Sequence, residues 1–422
     1  MSLNQLFKNS KFRYILYVFV AQGLFVLCNL YINHWINKSW HVEGFAIFNL
    51  VKRISSFVVY PLLIGAGIGI PRYISFLKSK SDGHGYEYLI SGIFIFLSAF
   101  LAFTGFVMLF PSIILKAFTE FAIEKERVLF SILLFALSQG IYILLTSYYR
   151  GKVQFGKMSF FNVLIMSLLP LSVLFFVADI FSYFFFYSLI SLIIISTVVV
   201  YYGLLNRISF KRIKYKSFRL LKYGYPRIVG ELGLFSLEFM PVFLVSLYVG
   251  LAESGYISMT FILLKLGSTL YELIGSLVLP YFGRLFKNSS KNIFISKVNH
   301  LLIFGIVSSM LIMVGFYFFI PVAIRLFFPS LLQTVVPSQM IFIVFPIFTV
   351  YLLLRNILDI IMDKAYNSIN LSIVAIIQVL ILALGIYFKN NTIYYVLAIA
   401  IPYLILGLLS YLVWVKNKEN LK

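Results

Sequence analysis

The sequence predicts an all-α integral membrane protein of twelve transmembrane helices, arranged as two six-helix halves that repeat in parallel. Three observations predict it. Hydrophobic residues make up 61% of the 422 and charged ones only 12%, with a mean hydropathy of +0.98, so the apolar surface exceeds what one soluble core of this length could enclose. Twelve stretches each hold about 20 mostly apolar residues, enough to cross a bilayer. The chain also aligns with itself at a shift of 209 residues.

The first span lies near 14–37. Its apolar run is too long for a signal-peptide core and no small-x-small cleavage pattern follows, so it is expected to stay in the membrane. Spans 2 to 6 follow near 44–70, 88–110, 128–149, 158–178 and 183–205; spans 7 to 12 lie near 223–249, 255–280, 298–320, 338–358, 368–388 and 394–415. The expected domains are therefore 1–205 and 223–422, joined by a basic linker over 206–222.

Lysine and arginine set the direction of insertion, because cytoplasmic loops carry them in excess. With the N-terminus inside, inner loops and tails hold 24 of the 35 and outer loops hold six. Both termini are thus expected in the cytoplasm. The net charge of +21 is mostly this topology signal rather than a nucleic-acid footprint. The linker, RISFKRIKYKSFRLLK over 207–222, alternates cations with aromatic and aliphatic residues and reads as a surface helix on anionic inner-leaflet lipid. A single cysteine, Cys28, excludes an internal disulfide framework, and His34, His41, His84 and His300 are too scattered for a metal site. No cofactor is expected.

Five cations remain inside spans: Lys52, Arg53, Arg227, Lys265 and Arg355. Each costs about 2.5–3.5 kcal/mol at membrane depth unless something offsets it. Lys52 stands about 12 Å into its span, deeper than its roughly 6 Å stem can snorkel out of. The repeat sharpens the pattern. At the shift of 209, Gln22 falls on Glu231, Asn29 on Glu238, Pro71 on Pro280, Lys78 on Lys287 and Tyr142 on Tyr351; with small outer-loop insertions, Gly44-Phe45 meets Gly255-Tyr256 and Pro111 meets Pro321. Spans 1, 2, 7 and 8 then carry most of the strongly polar side chains at depth: Gln22 and Asn29; Asn49, Lys52 and Arg53; Arg227, Glu231 and Glu238; Lys265 and Glu272. Seven-residue spacing puts Gln22 with Asn29, Glu231 with Glu238, and Lys265 with Glu272 on common helix faces. Such faces suit a wet interior. Interhelical glue for Gln22 and Asn29, or a local i,i+4 ion pair for Arg227 and Glu231, are the structural alternatives.

Pro61 with Gly65, Gly67 and Gly69 marks a bend in span 2, as Pro226 and Pro241 with Gly224, Gly230 and Gly233 do in span 7. The string GAGIGIPR (65–72) has a phosphate-loop look but closes a membrane span instead of following a strand, so it does not predict nucleotide binding. No Walker lysine, nucleophile elbow or catalytic carboxylate pair is visible, and no enzymatic activity is expected.

The block VEGFAIFNLVKRISSFVVYPLLIGAGIGIPRYI, the inner-loop YYRGKVQFGK and RNILDIIMDKAYN over 355–367, within a twelve-span, two-half plan, resemble Wzx-type lipid-linked oligosaccharide flippases of the multidrug/oligosaccharidyl-lipid/polysaccharide exporter superfamily. The resemblance spans the whole chain through short motifs. It implies two six-helix bundles around a central V-shaped cavity, and an undecaprenyl-pyrophosphate-linked O-antigen or polysaccharide repeat unit carried from the cytoplasmic to the periplasmic leaflet of a bacterial inner membrane. Membrane lipids, a polysaccharide polymerase and a chain-length regulator are the companions it implies.

On that footing Lys52, Arg53 and Lys265 are expected to hold the pyrophosphate, with Arg227 at the inner mouth. Gln22, Asn29, Asn49, Ser55 and Ser56 would meet sugar. Glu231, Glu238 and Glu272 would keep an anion from binding too tightly, or bind a coupling H+ or Na+. Pro61 and Pro241 would be hinges between inward and outward openings. A cation-coupled drug antiporter of the same superfamily is the nearest rival, but spans 1 to 6 hold no carboxylate away from an interface, Glu43 and Asp179 both standing at outer ends. An O-antigen polymerase or polyprenyl glycosyltransferase would need a larger outer loop than any here, and a channel or lipid scaffold is a third class.

Overall fold

The structure, a computed structural model, describes residues 10–75, 82–110, 125–205, 209–288, 290–362, 366–388 and 392–419. All regular structure among them is helical. Lys78, Pro111, residues 206–208 of the linker and Asp363 to Ala365 of the RNILDIIMDKAYN motif lie outside the described residues.

The first helix, α1 (Ser10–Leu62), is longer than expected: spans 1 and 2 are not separated by a loop, and only His41 leaves helical geometry (φ 57, ψ −173). No Gly or Pro lies between Ile36 and Glu43 to end the helix, so one residue in the left-handed region makes the corner. At 1.5 Å per residue α1 would measure about 80 Å straight, over twice a bilayer core, so it supplies two crossings. With that division, the eleven membrane-length apolar stretches among the described residues amount to twelve.

Span 2 also ends earlier than its apolar run. The chain breaks after Leu62 through Ile64 (φ 48) and Gly65 (φ 66) and resumes as α2 (Ala66–Ser75). Pro61 lies one residue before the helix end. The Gly67 carbonyl of α2 accepts bonds from Ser147 Oγ (2.9 Å) and Arg150 Nη2 (2.8 Å), both on α4 (Lys125–Gly151). The YYRGK and GAGIGIPR motifs are thus fastened together, a structural use of the glycine string. Between α2 and α4 runs α3 (Asp82–Leu109).

The next crossing is α5 (Phe155–Val163), a π-helical turn (Leu164–Leu168) and α6 (Leu169–Leu174). Pro170, which lacks an N–H, follows that turn, and a π-turn is one way a helix absorbs such a residue. Asp179 then opens α7 (Ile180–Leu205), its carboxylate accepting the amides of Phe181 and Ser182 and the Ser182 hydroxyl.

The linker region forms α8 (Phe210–Gly224) and a 3-10 turn (Tyr225–Arg227) before α9 (Ile228–Tyr248). Beyond these lie α10 (Leu251–Asn288), α11 (Lys291–Phe327), a 3-10 turn (Pro329–Thr334), α12 (Val335–Ile361), α13 (Tyr366–Tyr387) and α14 (Thr392–Lys418).

The chain divides into two compact units, Met1–Ser39 with Val51–Ile228, and Trp40–Leu50 with Val229–Lys422. α8 belongs to the first. That unit's core gathers Val59, Leu63, Ile70, Phe96, Leu144 and Tyr149. In the second, α12 is central: Phe342 stacks on Phe316 at 4.6 Å, Phe345 meets Tyr271 and Phe348 meets Tyr403. Gly407 lets α14 approach α12 so closely that a Cβ there would lie 2.1 Å from the Ile347 carbonyl. α11 exposes Phe304, Leu311 and Phe318, the surface a lipid-facing helix presents.

Candidate functional site

In the first unit, the deep polar groups of spans 1 and 2 meet at Asn29. Its side-chain oxygen accepts from Lys52 Nζ at 3.3 Å and from Asn33 Nδ2 at 3.2 Å, and Asn33 also donates to the Asn29 backbone carbonyl at 2.7 Å. A charge-assisted bond of this kind offsets part of the desolvation of a buried amine. Lys52, Arg53 and Asn29 are half-buried, as are Gln22 and Ser56. Arg53 follows Lys52 by about 100° of helix rotation, so the two cations point to different sectors of one helix. Ser55 faces inward and is fully buried, its hydroxyl donating to the Ile132 carbonyl at 3.1 Å. Pro61 stands three residues before the break at Ile64.

Arg227 lies one residue before the end of this unit: Nη1 donates to the Tyr223 carbonyl at 2.9 Å, and the guanidinium lies 3.9 Å from the centroid of the Tyr223 ring.

In the second unit, Lys265 and Glu272 sit two turns apart on α10 and form an ion pair, Nζ to the carboxylate oxygens at 2.7 and 3.0 Å. Their side chains remain 51% and 40% exposed, so this charge pair is open to whatever fills the space beside α10. Ser268 adds a bond to Glu272 at 3.3 Å. Arg355 on α12 is close enough for its charge to act on the same carboxylate. Glu231 and Glu238 are half-buried on α9, and Pro241 is buried in an unbroken stretch of that helix. Gly230 and Gly233 bring α9 against α13: a Cβ at Gly230 would lie 2.3 Å from Ser368 Oγ. Asn49, in the 40–50 segment assigned to this unit, is buried and donates to the Phe45 carbonyl at 2.9 Å.

The structure therefore joins Lys52 to Asn29 and Lys265 to Glu272. It commits Ser55 and Asn49 to backbone carbonyls within the helix packing, and turns Arg227 onto an aromatic ring. Sequence reasoning missed Asn33, Ser268 and the buried Gln378, which donates to the Leu237 carbonyl. The first two were findable at helical spacing from Asn29 and Lys265. It also missed Glu87, counted with an inner loop but 2% exposed at its side chain and paired with Lys216 at 2.6 Å; partners 129 residues apart leave no local signal.

No protein-family model matches the chain, and no curated protein matches its sequence. Solved structures do match. The chain is similar to a multidrug resistance MATE family transporter of the MOP superfamily in an inward-facing conformation, with a TM-score of 0.75, 12% identity and coverage of 94% of this chain and 95% of the other. It is similar to a MOP superfamily transporter from Pyrococcus furiosus, described as having a binding pocket of reverse polarity that suggests a different function, at TM-score 0.68 and 13% identity over 96% and 95% of the two chains. It is also similar to the lipid II flippase MurJ in an inward closed conformation, at TM-score 0.66 and 17% identity over 95% and 89%. The chain has the fold of these transporters.

Proposed function

We propose that the chain is a flippase carrying an undecaprenyl-pyrophosphate-linked oligosaccharide from the cytoplasmic to the periplasmic leaflet of a bacterial inner membrane by alternating access. The observation that carries this reading is Lys52, a cation far inside a membrane-length helix whose Nζ is oriented by Asn29 of the neighbouring span at 3.3 Å. Arg53 stands beside it in sequence, and Lys265 is exposed on α10. A transporter fold shared with a lipid II flippase supports the choice of a lipid-linked cargo.

The physics is that of a headgroup in oil. A pyrophosphate and many sugar hydroxyls cannot cross about 30 Å of hydrocarbon unless water or protein groups replace their hydration. Lys52 and Arg53 of the first unit supply donors for the pyrophosphate, while Gln22, Asn29 and Ser56 of the same unit offer sugar contacts and the polyprenyl tail stays in lipid; Lys265 is a further cation, on the second unit. Lys265 gives up Glu272 when an anion arrives, and Glu272 returns when it leaves. Glu231, Glu238 and Glu272 are the carboxylates proposed to bind a coupling H+ or Na+, or to keep the anion from binding too tightly. The product would pass to a polymerase and chain-length regulator.

Replacing Lys52 or Arg53 by Ala should leave membrane insertion intact and abolish transfer of a fluorescent polyprenyl-pyrophosphate-linked sugar across proteoliposomes. Transfer at the parental rate in both variants would remove them from the path.

A cation-coupled drug antiporter is the second reading, favoured by the similarity to MATE transporters. It calls for an available carboxylate in the first unit. Glu87, buried there, already serves Lys216 and Arg212 at 2.6 and 3.4 Å.

A further inference from the structure

One end of the first unit gathers arginines on a stack of tyrosines, and of these only Arg227 was expected to meet the substrate. Tyr73 of α2 and Tyr88 of α3 lie face to face, 5.4 Å between centroids and 7° apart, and Tyr223 of α8 meets Tyr73 edge-on at 5.8 Å. Three guanidinium groups rest on these rings. Arg219 stands 4.6 Å from the Tyr73 centroid, while Arg72 and Arg227 stand 4.8 and 3.9 Å from that of Tyr223. Arg219 is further held by the Tyr88 hydroxyl at 3.3 Å and the exposed Tyr215 ring at 5.7 Å. The glycine string makes the approach possible: a Cβ at Gly69 would lie 2.9 Å from Leu220 and 3.3 Å from Tyr223.

Gathering like charges is unfavourable unless something neutralises them. Glu87 is the carboxylate packed against this helix, and it is occupied by Lys216 and Arg212. Among the described residues, neither Arg219 nor Arg227 forms an ion pair. Arg72 and Arg219 are exposed and Arg227 half-buried, so solvent or a ligand reaches them. A ring under a guanidinium holds its plane and leaves N–H edges to donate outward, which is the geometry that recognises phosphate oxygens in pairs.

We propose that Arg72, Arg219 and Arg227, posed by Tyr73, Tyr88 and Tyr223, form a loading site for a phosphate or pyrophosphate ester at the inner membrane surface. There the headgroup of the lipid-linked glycan is captured before it moves to Lys52. The choice of pyrophosphate rests on the flippase reading; the affinity for phosphate oxygens does not. An anionic phospholipid offers similar oxygens, and the experiment separates the two.

The full chain carrying Lys52→Ala and Arg53→Ala is placed in nanodiscs of zwitterionic lipid, and binding of a fluorescent farnesyl pyrophosphate is read by anisotropy. Adding Arg72→Gln, Arg219→Gln and Arg227→Gln together should weaken binding at least tenfold, and inorganic pyrophosphate should compete in the parent. Arg72→Gln alone, at an exposed position, should weaken it about threefold; this measurement stands if the triple variant fails to fold. Unchanged binding in the single and triple variants overturns the site. Competition by phosphatidylglycerol at lower concentration than by pyrophosphate overturns the assignment to pyrophosphate. A tenfold loss here, together with no glycan transfer by the unmutated chain, would refute the flippase reading and leave the phosphate site standing.

Discussion

Gly224 is where the backbone allows no side chain. A Cβ built on it would fall 1.7 Å from the Ile64 carbonyl, and one on Gly65, at φ +66, would fall 2.6 Å from the Gly224 Cα. Both obstacles are backbone, which cannot swing away as a side-chain tip can, so the contact between α8 and the break after α1 depends on two glycines. Gly224→Ala should cost about 1–3 kcal/mol, read as a lower midpoint of thermal unfolding in detergent. Gly315→Ala, with nothing within 4 Å of its Cβ, should be neutral or slightly stabilising. The sequence marked such glycines as places where a span bends, but a list of glycines cannot say which face a backbone. The same limit applied to the polar residues: Lys265 and Glu272 were legible as sharing a helix face because helical geometry fixes i,i+7, whereas their ion pair, and Lys52 meeting Asn29, came only with the structure.

At the level of elements, α8 is fastened by charge as well as by glycine. Lys216 and Glu87 keep 9% and 2% of their side chains exposed, and Ser91 on the same face of α3 donates to the Ile213 carbonyl. Its other face shows Phe210, Lys211, Lys214, Tyr215 and Phe218, the cation and aromatic mixture suited to a membrane surface. Removing one partner of a buried pair strands the other, at about 3–5 kcal/mol. Glu87→Gln should therefore loosen α8, and hydrogen exchange should accelerate over 210–224 while the core of α12 keeps its protection. Glu87→Gln combined with Lys216→Met should restore slow exchange, since no buried charge is left without its partner: Arg212, which also pairs with Glu87, is 54% exposed and can be hydrated instead. That a basic stretch with aromatic residues every few positions would be a surface helix was readable from composition. That it belongs to the first unit was not, because the carboxylate that holds it sits 129 residues earlier in a segment read as loop.

For the whole molecule, hydropathy carried most of the information. Twelve crossings were readable because the bilayer forces every spanning segment to satisfy its backbone internally and to be apolar over a fixed length. The departures came where hydropathy says nothing about backbone direction: at His41, where one residue with positive φ turns the chain inside a continuous helix, and at Ile64 and Gly65, where an apolar run breaks. Direction of insertion rests on a separate effect, the retention of lysine and arginine on the cytoplasmic side, and 24 cations against six is a large bias. It predicts Ser39, next to the His41 corner, outside, and Ser290, at the start of α11, inside; both are exposed. In a Cys28→Ser background, intact bacterial cells treated with a membrane-impermeant maleimide should label Ser39→Cys and spare Ser290→Cys until the membrane is opened. The reverse pattern would put the seven cations of 206–222 on the outer face, and with them the tyrosine-posed arginines, where no cytoplasmic headgroup could load. Labelling thus decides the direction of transport before any substrate is in hand.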